Sequence, residues 1–264
     1  MMNILLTNDD GFGAPGLESL IKILGVNNSI YVCAPLKNRS GASQSINMGQ
    51  DLELVKKGKN SFALDGSPTD CVMTGLRSNL FSEQIDVVIS GINKGANIGT
   101  DIVYSGTCGA ARQAVLYGIP GIAVSLSLDD DKALWDDESA WHYDVLSSFV
   151  GKNLENLTKL CSVALPNGRM PQENCVFVNI NAYSKIPYNK VEYTDISFRE
   201  YLSDSVKLEK HDNVTRRVFC YGSTETKSRN YSDYDSVMRG NISVSRVYAE
   251  AIAAPAMDGI SLSL

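Results

Sequence analysis

The sequence predicts a Rossmann-like α/β fold: a doubly wound, mainly parallel sheet with helices on both faces, followed by a C-terminal β-hairpin or arm. Short runs free of charged residues, such as Ile4-Leu5-Leu6, Ile30–Ala34 and Ile119–Leu126, read as strands, the first two of the buried type. Segments with helical spacing of apolar residues separate them, and that alternation implies parallel strands joined by right-handed crossovers. From about residue 185 the texture changes to short, polar-flanked β runs rich in Tyr, Thr, Ser, Asp and Arg. Strands of that kind cannot make a core alone. Residues 1–185 are therefore expected to form the main, Rossmann-like domain, and 186–264 an arm, hairpin and tail that pack on it or on another subunit.

Each element follows from its residues. After the first strand, Pro15 and Gly16 lead into a helix over Leu17–Leu24. The second strand closes at Pro35, and 37–47 is a polar loop without apolar period. Leu52–Val55 and Ser61–Leu64 suggest a hairpin turning through Lys57–Asn60. Ser67 and Pro68 suit the cap and first position of a helix reaching Leu80, with Asp70 a candidate for orienting a loop. Ile85–Ser90 reads as a buried strand, 105–117 as a helix, Asp129–Asp137 as a charged loop, Trp141–Leu160 as a helix and Val176–Ile180 as a late strand. Arg217–Tyr221 is one of the β-like runs of the arm.

Composition excludes several classes. The 264 residues are 44% hydrophobic and 20% charged, as in an ordinary globular protein. A net charge of −6 argues against a long nucleic acid as partner, though not against one nucleotide held at a metal. No apolar stretch of about 18 residues predicts a membrane span, and no signal peptide is visible. The six cysteines form no CxxC pair and read as buried thiols of a reducing compartment, so the expected address is cytoplasmic. Two histidines, His142 and His211, leave no material for a multi-histidine zinc site.

The chemistry lies in loops after strands. The first strand stops on Asn8, Asp9, Asp10 and Gly11, delivering two carboxylates to the sheet edge where open α/β folds bind ligands. Neighbouring carboxylates repel, and a hard divalent ion such as Mg²⁺ or Mn²⁺ relieves them. A plain surface turn is the competing reading. The loop Ser90–Gly99 holds three glycines besides Asn93 and Asn97, whose carboxamides suit a metal or a phosphate. Ser105, Gly106 and Thr107 open a helix whose N-terminal N–H groups suit a phosphate, or form an ordinary cap. Arg39, Ser40, Gly41, Ser43 and Ser45 lie in what reads as a solvated polar loop.

Taken together and in order, TNDDGFGAPGL, RSGASQSI, GSPTDCV, SGINKGANIG and YSGTCGAA resemble the survival protein E (SurE) family of nucleotidases, densely over residues 3–126. The resemblance implies a metal-dependent phosphatase acting on nucleoside monophosphates, with one divalent ion per subunit. It implies Asp9, Asp10, Ser40 and Asn93 as metal ligands, and Asn8, Asn97, Ser105, Gly106 and Thr107 around the phosphate. It also implies a homodimer or homotetramer assembled through C-terminal arms. The chain departs from the family where Arg112 and Gln113 replace a usual Met-Glu pair, and near Ser232-Asp233 and Gly240–Arg246.

The catalytic expectation rests on Asp9, Asp10 and Asn8, with Asp9 orienting or deprotonating the attacking water. A covalent aspartyl-phosphate through Asp9 or Asp10 is the chemical alternative. Two rival functions stay open at this level: a nucleotide sensor with the same pocket and no turnover, and a haloacid-dehalogenase-type hydrolase. The latter needs Asp-x-Asp spacing, whereas Asp9 and Asp10 are contiguous.

Overall fold

The computed structural model describes residues 1–128, 135–165, 174–211, 214–220, 222–228 and 231–252. Part of the charged loop expected at Asp129–Asp137, Tyr221 of the arm, and the tail from residue 253 lie outside these. Among the described residues, nine strands form one sheet. In chain order they are β1 (Asn3–Thr7), β2 (Ser29–Pro35), β3 (Leu54–Gly58), β4 (Ser61–Leu64), β5 (Val87–Lys94), β6 (Gly121–Ser127), β7 (Val176–Tyr183), β8 (Val191–Tyr193) and, after the arm, β13 (Ile242–Tyr248). Across the sheet the order is β3-β4-β2-β1-β5-β6-β7-β13-β8, and β4, β2, β1, β5, β6 and β7 run parallel.

Two helices cover each face. On one, α1 (Pro15–Leu24) and α5 (Tyr143–Lys159) seat Leu17, Leu20, Leu146 and Val150 on Ile4, Leu6 and Ile89. On the other, α2 (Pro68–Arg77) and α4 (Gly106–Leu116), the latter preceded by the single turn α3 (Asp101–Tyr104), seat Cys71, Val72, Ala110 and Ala114 on Leu5 and Val88. Each fully buried aliphatic side chain here contributes about 1.5–3 kcal/mol. The expected doubly wound class is what this layering is. The strand order reverses beside β1, whose neighbours are β2 and β5, so a crevice opens beyond the ends of β1 and β5.

Several boundaries differ from the sequence expectation. The third parallel strand does not stop at Ser90; β5 begins at Val87 and continues to Lys94 across a bulge between Ser90 and Asn93. Gly91 makes this possible: its φ is +139°, and a Cβ there would lie 2.3 Å from the Val124 carbonyl oxygen. The second helix ends at Arg77 rather than Leu80, and Trp141-His142 precede α5 after a short 3₁₀ turn at Glu138–Ala140.

The segment after residue 185 is mixed. Its β8 and β13 extend the large sheet, β13 antiparallel to β7. Between them project two small antiparallel pairs: β9 (Phe198–Leu202) with β12 (Ser223–Lys227), and β10 (Ser205–His211) with β11 (Val214–Cys220). These are the arm, and α6 (Asp233–Met238) returns the chain to the sheet. Among the described residues, no helix is long and apolar enough to cross a membrane. All six cysteines are free thiols, four of them buried.

Candidate active site

Both carboxylates sit where β1 ends, and different neighbours hold them. The Thr107 hydroxyl donates to Asp9 Oδ1 at 2.7 Å, and the Thr107 backbone N–H donates to Oδ2 at 3.2 Å. The Asp9 carboxylate thus lies on the first turn of α4, where orphan N–H groups and the helix dipole favour negative charge. Gly106 permits the approach, because a Cβ there would lie 3.0 Å from Asp9 Cβ. Asp10 Oδ2 accepts the Lys94 N–H at 3.0 Å, which ties it to the end of β5. Asn8 is fully buried and folds back on its own loop, donating to the Gly11 carbonyl at 2.9 Å.

Burial pushes the Asp9 carboxyl up from its usual range, against the Thr107 hydrogen bonds that pull it down. Asp10 is raised from 3.8 to about 6, first by burial and second by the charge of Asp9. A cation supplied to this pair removes both penalties.

Ser40 and Asn93 each stand one residue from a direct bond to the acidic pair. The Arg39 N–H donates to the Asp9 carbonyl at 2.7 Å, leaving Ser40 exposed just beyond. Asn93 precedes Lys94, and its side-chain amide donates to the Gly95 carbonyl at 2.9 Å, which leaves its Oδ1 for a ligand. Among the described residues no group of three His, Cys, Asp or Glu could hold a metal. A set of two carboxylates completed by neutral carboxamide and hydroxyl oxygens fits a hard cation such as Mg²⁺ or Mn²⁺.

The phosphate-side residues divide. Ser105 caps α4, accepting the Cys108 N–H at 3.0 Å, and its hydroxyl proton remains to be donated. The Thr107 hydroxyl is engaged by Asp9, so what Thr107 does here is position a carboxylate. Asn97 donates from its amide to the Ser125 hydroxyl at 2.8 Å.

Residues that sequence reasoning missed hold these in place. Asn181 clasps the Asn97 peptide: its Oδ1 accepts the Asn97 N–H at 2.8 Å and its amide donates to the Asn97 carbonyl at 3.0 Å. Asn179 donates to the same carbonyl at 2.9 Å and accepts the Cys108 thiol at 3.6 Å, joining the Asn97 loop to α4. The signal was present: an Asn-x-Asn pair on one face of an otherwise apolar strand.

The 37–47 loop, expected to be merely solvated, is fastened along its length. Ser43 donates to the Val103 carbonyl at 2.7 Å, Gln44 to Gln113 at 2.9 Å, and the Ser45 carbonyl accepts the Ser67 hydroxyl at 2.6 Å. Asp70 closes a capping box on α2 and accepts the Asn47 amide at 2.6 Å, so it does orient this loop. Gln113, one of the departures from the resembled pattern, is thereby part of the loop's anchorage. The other, Arg112, stacks its guanidinium 5.4 Å from the Phe177 ring centre.

Comparison with known proteins agrees with this frame. Residues 4–203 match the family described as Survival protein SurE. The chain is 35% identical over 252 residues to "5'-nucleotidase SurE" of Geotalea uraniireducens, covering 94% of each. It is 51% identical over 126 residues to the protein of that name from Campylobacter hominis, covering 47% of this chain and 49% of the other. The crystal structure of the SurE protein from Aquifex aeolicus superposes with a TM-score of 0.72 at 24% identity, covering 95% of this chain and 94% of that one, and so shares the fold. The chain belongs to the SurE family.

Proposed function

We propose that this chain is a 5′-nucleotidase, hydrolysing nucleoside monophosphates to nucleoside and phosphate at the crevice beyond β1 and β5. The observation that carries the reading is the acidic pair itself: two partly desolvated carboxylates, one resting on the N-terminal turn of α4. Asp9, Asp10, Ser40 and Asn93 would hold one Mg²⁺ or Mn²⁺ ion. When bound, that ion neutralises the pair and supplies a Lewis acid for a phosphate oxygen and for water.

The chain's own residues then divide the work. Ser105 donates its hydroxyl, and Gly106 its N–H, to the equatorial phosphoryl oxygens, with Asn97 lining the same pocket. Asp9, fixed by Thr107, orients the attacking water and takes its proton as the new oxygen–phosphorus bond forms. The ester oxygen departs with its bonding pair and takes a proton from solvent water to become the nucleoside hydroxyl, and Asp9 releases its proton to solvent. Asn8 keeps the acidic loop in register.

The catalytic residues fall within 1–185, while 186–264 serves as arm and intersubunit contact, fastened to the body by β8 and β13. Exposed Phe198, Val206, Leu208 and Val214 on the arm support assembly as a homodimer or homotetramer. Six free thiols support a cytoplasmic setting.

The test is phosphate release from a panel of nucleoside 5′- and 3′-monophosphates with Mg²⁺, Mn²⁺ or EDTA, for wild type and Asp9→Asn. Release that EDTA and the substitution both abolish supports the nucleotidase. No release with any metal, alongside nucleotide-induced thermal stabilisation, would replace it with a sensor.

A further inference from the structure

Beside the acidic crevice lies a cavity of about 660 Å³, lined by Gly41, Tyr104, Tyr201, Asp204, Arg217 and Phe219. Two of these continue the site directly. Gly41 follows Ser40, and Tyr104 precedes Ser105, each one Cα–Cα step of about 3.8 Å away. The two loops are also bonded to each other, the Ser43 N–H donating to the Tyr104 carbonyl at 2.9 Å. The remaining lining residues come from the arm.

That outer wall is held on the same chain. Arg199 pairs with Asp101 at 2.8 Å, its N–H donates to the Thr100 hydroxyl at 3.0 Å, and the Tyr201 hydroxyl bonds Asp101. Asp233 completes the attachment, accepting the Gly99 N–H at 2.8 Å and the Ser197 N–H at 2.9 Å. The Tyr104 and Tyr201 rings meet edge to face with centres 6.4 Å apart, and Arg217 lies 5.9 Å over the Phe219 ring. Tyr104 nonetheless remains 55% exposed, so its ring presents surface to the cavity.

We propose that this cavity is the nucleobase subsite of the enzyme. Resting on the nucleotidase reading above, it assigns the base of the substrate to a stack on Tyr104, walled by Tyr201 and Phe219. Arg217 donates to ring nitrogens or carbonyl oxygens of the base, and the phosphate end lies against Ser105. Aromatic faces and a guanidinium accept any base, so the subsite selects nucleotides over small phosphate esters more strongly than one base over another.

Tyr104→Ala, Tyr104→Trp and Arg217→Ala should be assayed on adenosine and guanosine 5′-monophosphate beside glycerol phosphate, with nucleoside binding measured by calorimetry. Tyr104→Ala is expected to raise KM for both nucleotides by about tenfold or more, the scale of one lost base stack. Glycerol phosphate hydrolysis should change by less than about twofold on that scale, and Tyr104→Trp should restore nucleotide KM. Equal losses on nucleotides and glycerol phosphate would overturn the subsite, as would unchanged nucleotide KM or a loss that tracks a change in oligomeric mass. An inactive wild type would instead sink the nucleotidase reading. Nucleoside binding then still decides the subsite: weakening in Tyr104→Ala supports it, and equal or absent binding in the two proteins refutes it.

Discussion

Asp10→Asn should make the metal-free protein more stable at neutral pH while removing its response to metal. Asp10 is raised from 3.8 to about 6, so holding it ionised in the fold costs about 3 kcal/mol relative to the unfolded chain. The sign follows from proton binding. A carboxyl whose folded value is raised stabilises the fold below its unfolded value near 4, and that stability is lost as pH rises through about 6. An asparagine carries no such penalty, and its carbonyl oxygen can still accept the Lys94 N–H. For a chain of this size about 3 kcal/mol is roughly 6 °C in midpoint. Thermal melts in EDTA from pH 4 to 8 should show wild type falling relative to Asp10→Asn, with the gap complete near pH 7. Saturating Mn²⁺ should raise wild type by about 3 kcal/mol at a hundredfold excess over Kd and leave the variant unmoved. A variant less stable than wild type in EDTA at pH 7.5, or one that Mn²⁺ stabilises equally, would refute the reasoning.

Three further outcomes follow from the same contacts. Thr107→Val removes the hydroxyl that fixes Asp9 and keeps the shape, so kcat should fall roughly 10- to 100-fold with little change in KM, the scale of a hydrogen bond to a charged group. Steady-state kinetics check this, and an unchanged kcat would detach Thr107 from catalysis. Asn181→Ala orphans the Asn97 N–H and should destabilise the fold by about 1–3 kcal/mol in denaturant melts; a loss below about 0.5 kcal/mol would mean that water replaces the clasp. Asp70→Ala leaves the Ser67 cap but removes the carboxylate that accepts the Ser67 N–H in the capping box, together with the Asn47 anchor, costing about 1 kcal/mol. It should also weaken Mn²⁺ binding by calorimetry through the Ser40 loop, and unaltered affinity would separate that loop from the ion.

What the sequence disclosed depended on how far apart the interacting residues are. β1, β2 and β6 are visible because an uncharged run between helical segments is a local pattern, and the acidic pair is visible because it ends such a run. The full course of β5 was hidden, since Ser90-Gly91-Ile92-Asn93 has loop composition while its strand geometry depends on the Val124 carbonyl of β6. The contacts that assemble the site span long separations: Asp9 meets Thr107 across 98 residues, Asn97 meets Asn181 across 84, and Asn47 meets Asp70 across 23. No periodicity reports such pairings. The resemblance proposed Ser40 as a ligand, where composition alone read a solvated loop. β8 and β13 look like arm strands in sequence and are placed in the large sheet by pairing with β7 and with each other.

The most direct test of the central claim is a Mn²⁺ titration into metal-stripped enzyme, following bound ion by electron paramagnetic resonance and phosphate release from adenosine 5′-monophosphate in the same samples. The acidic pair with Ser40 and Asn93 predicts one tight ion per chain, release rising in proportion to its occupancy, and both lost in Asp9→Asn. Full release before any ion is bound, or an Asp9→Asn protein that binds Mn²⁺ as wild type does, would contradict it.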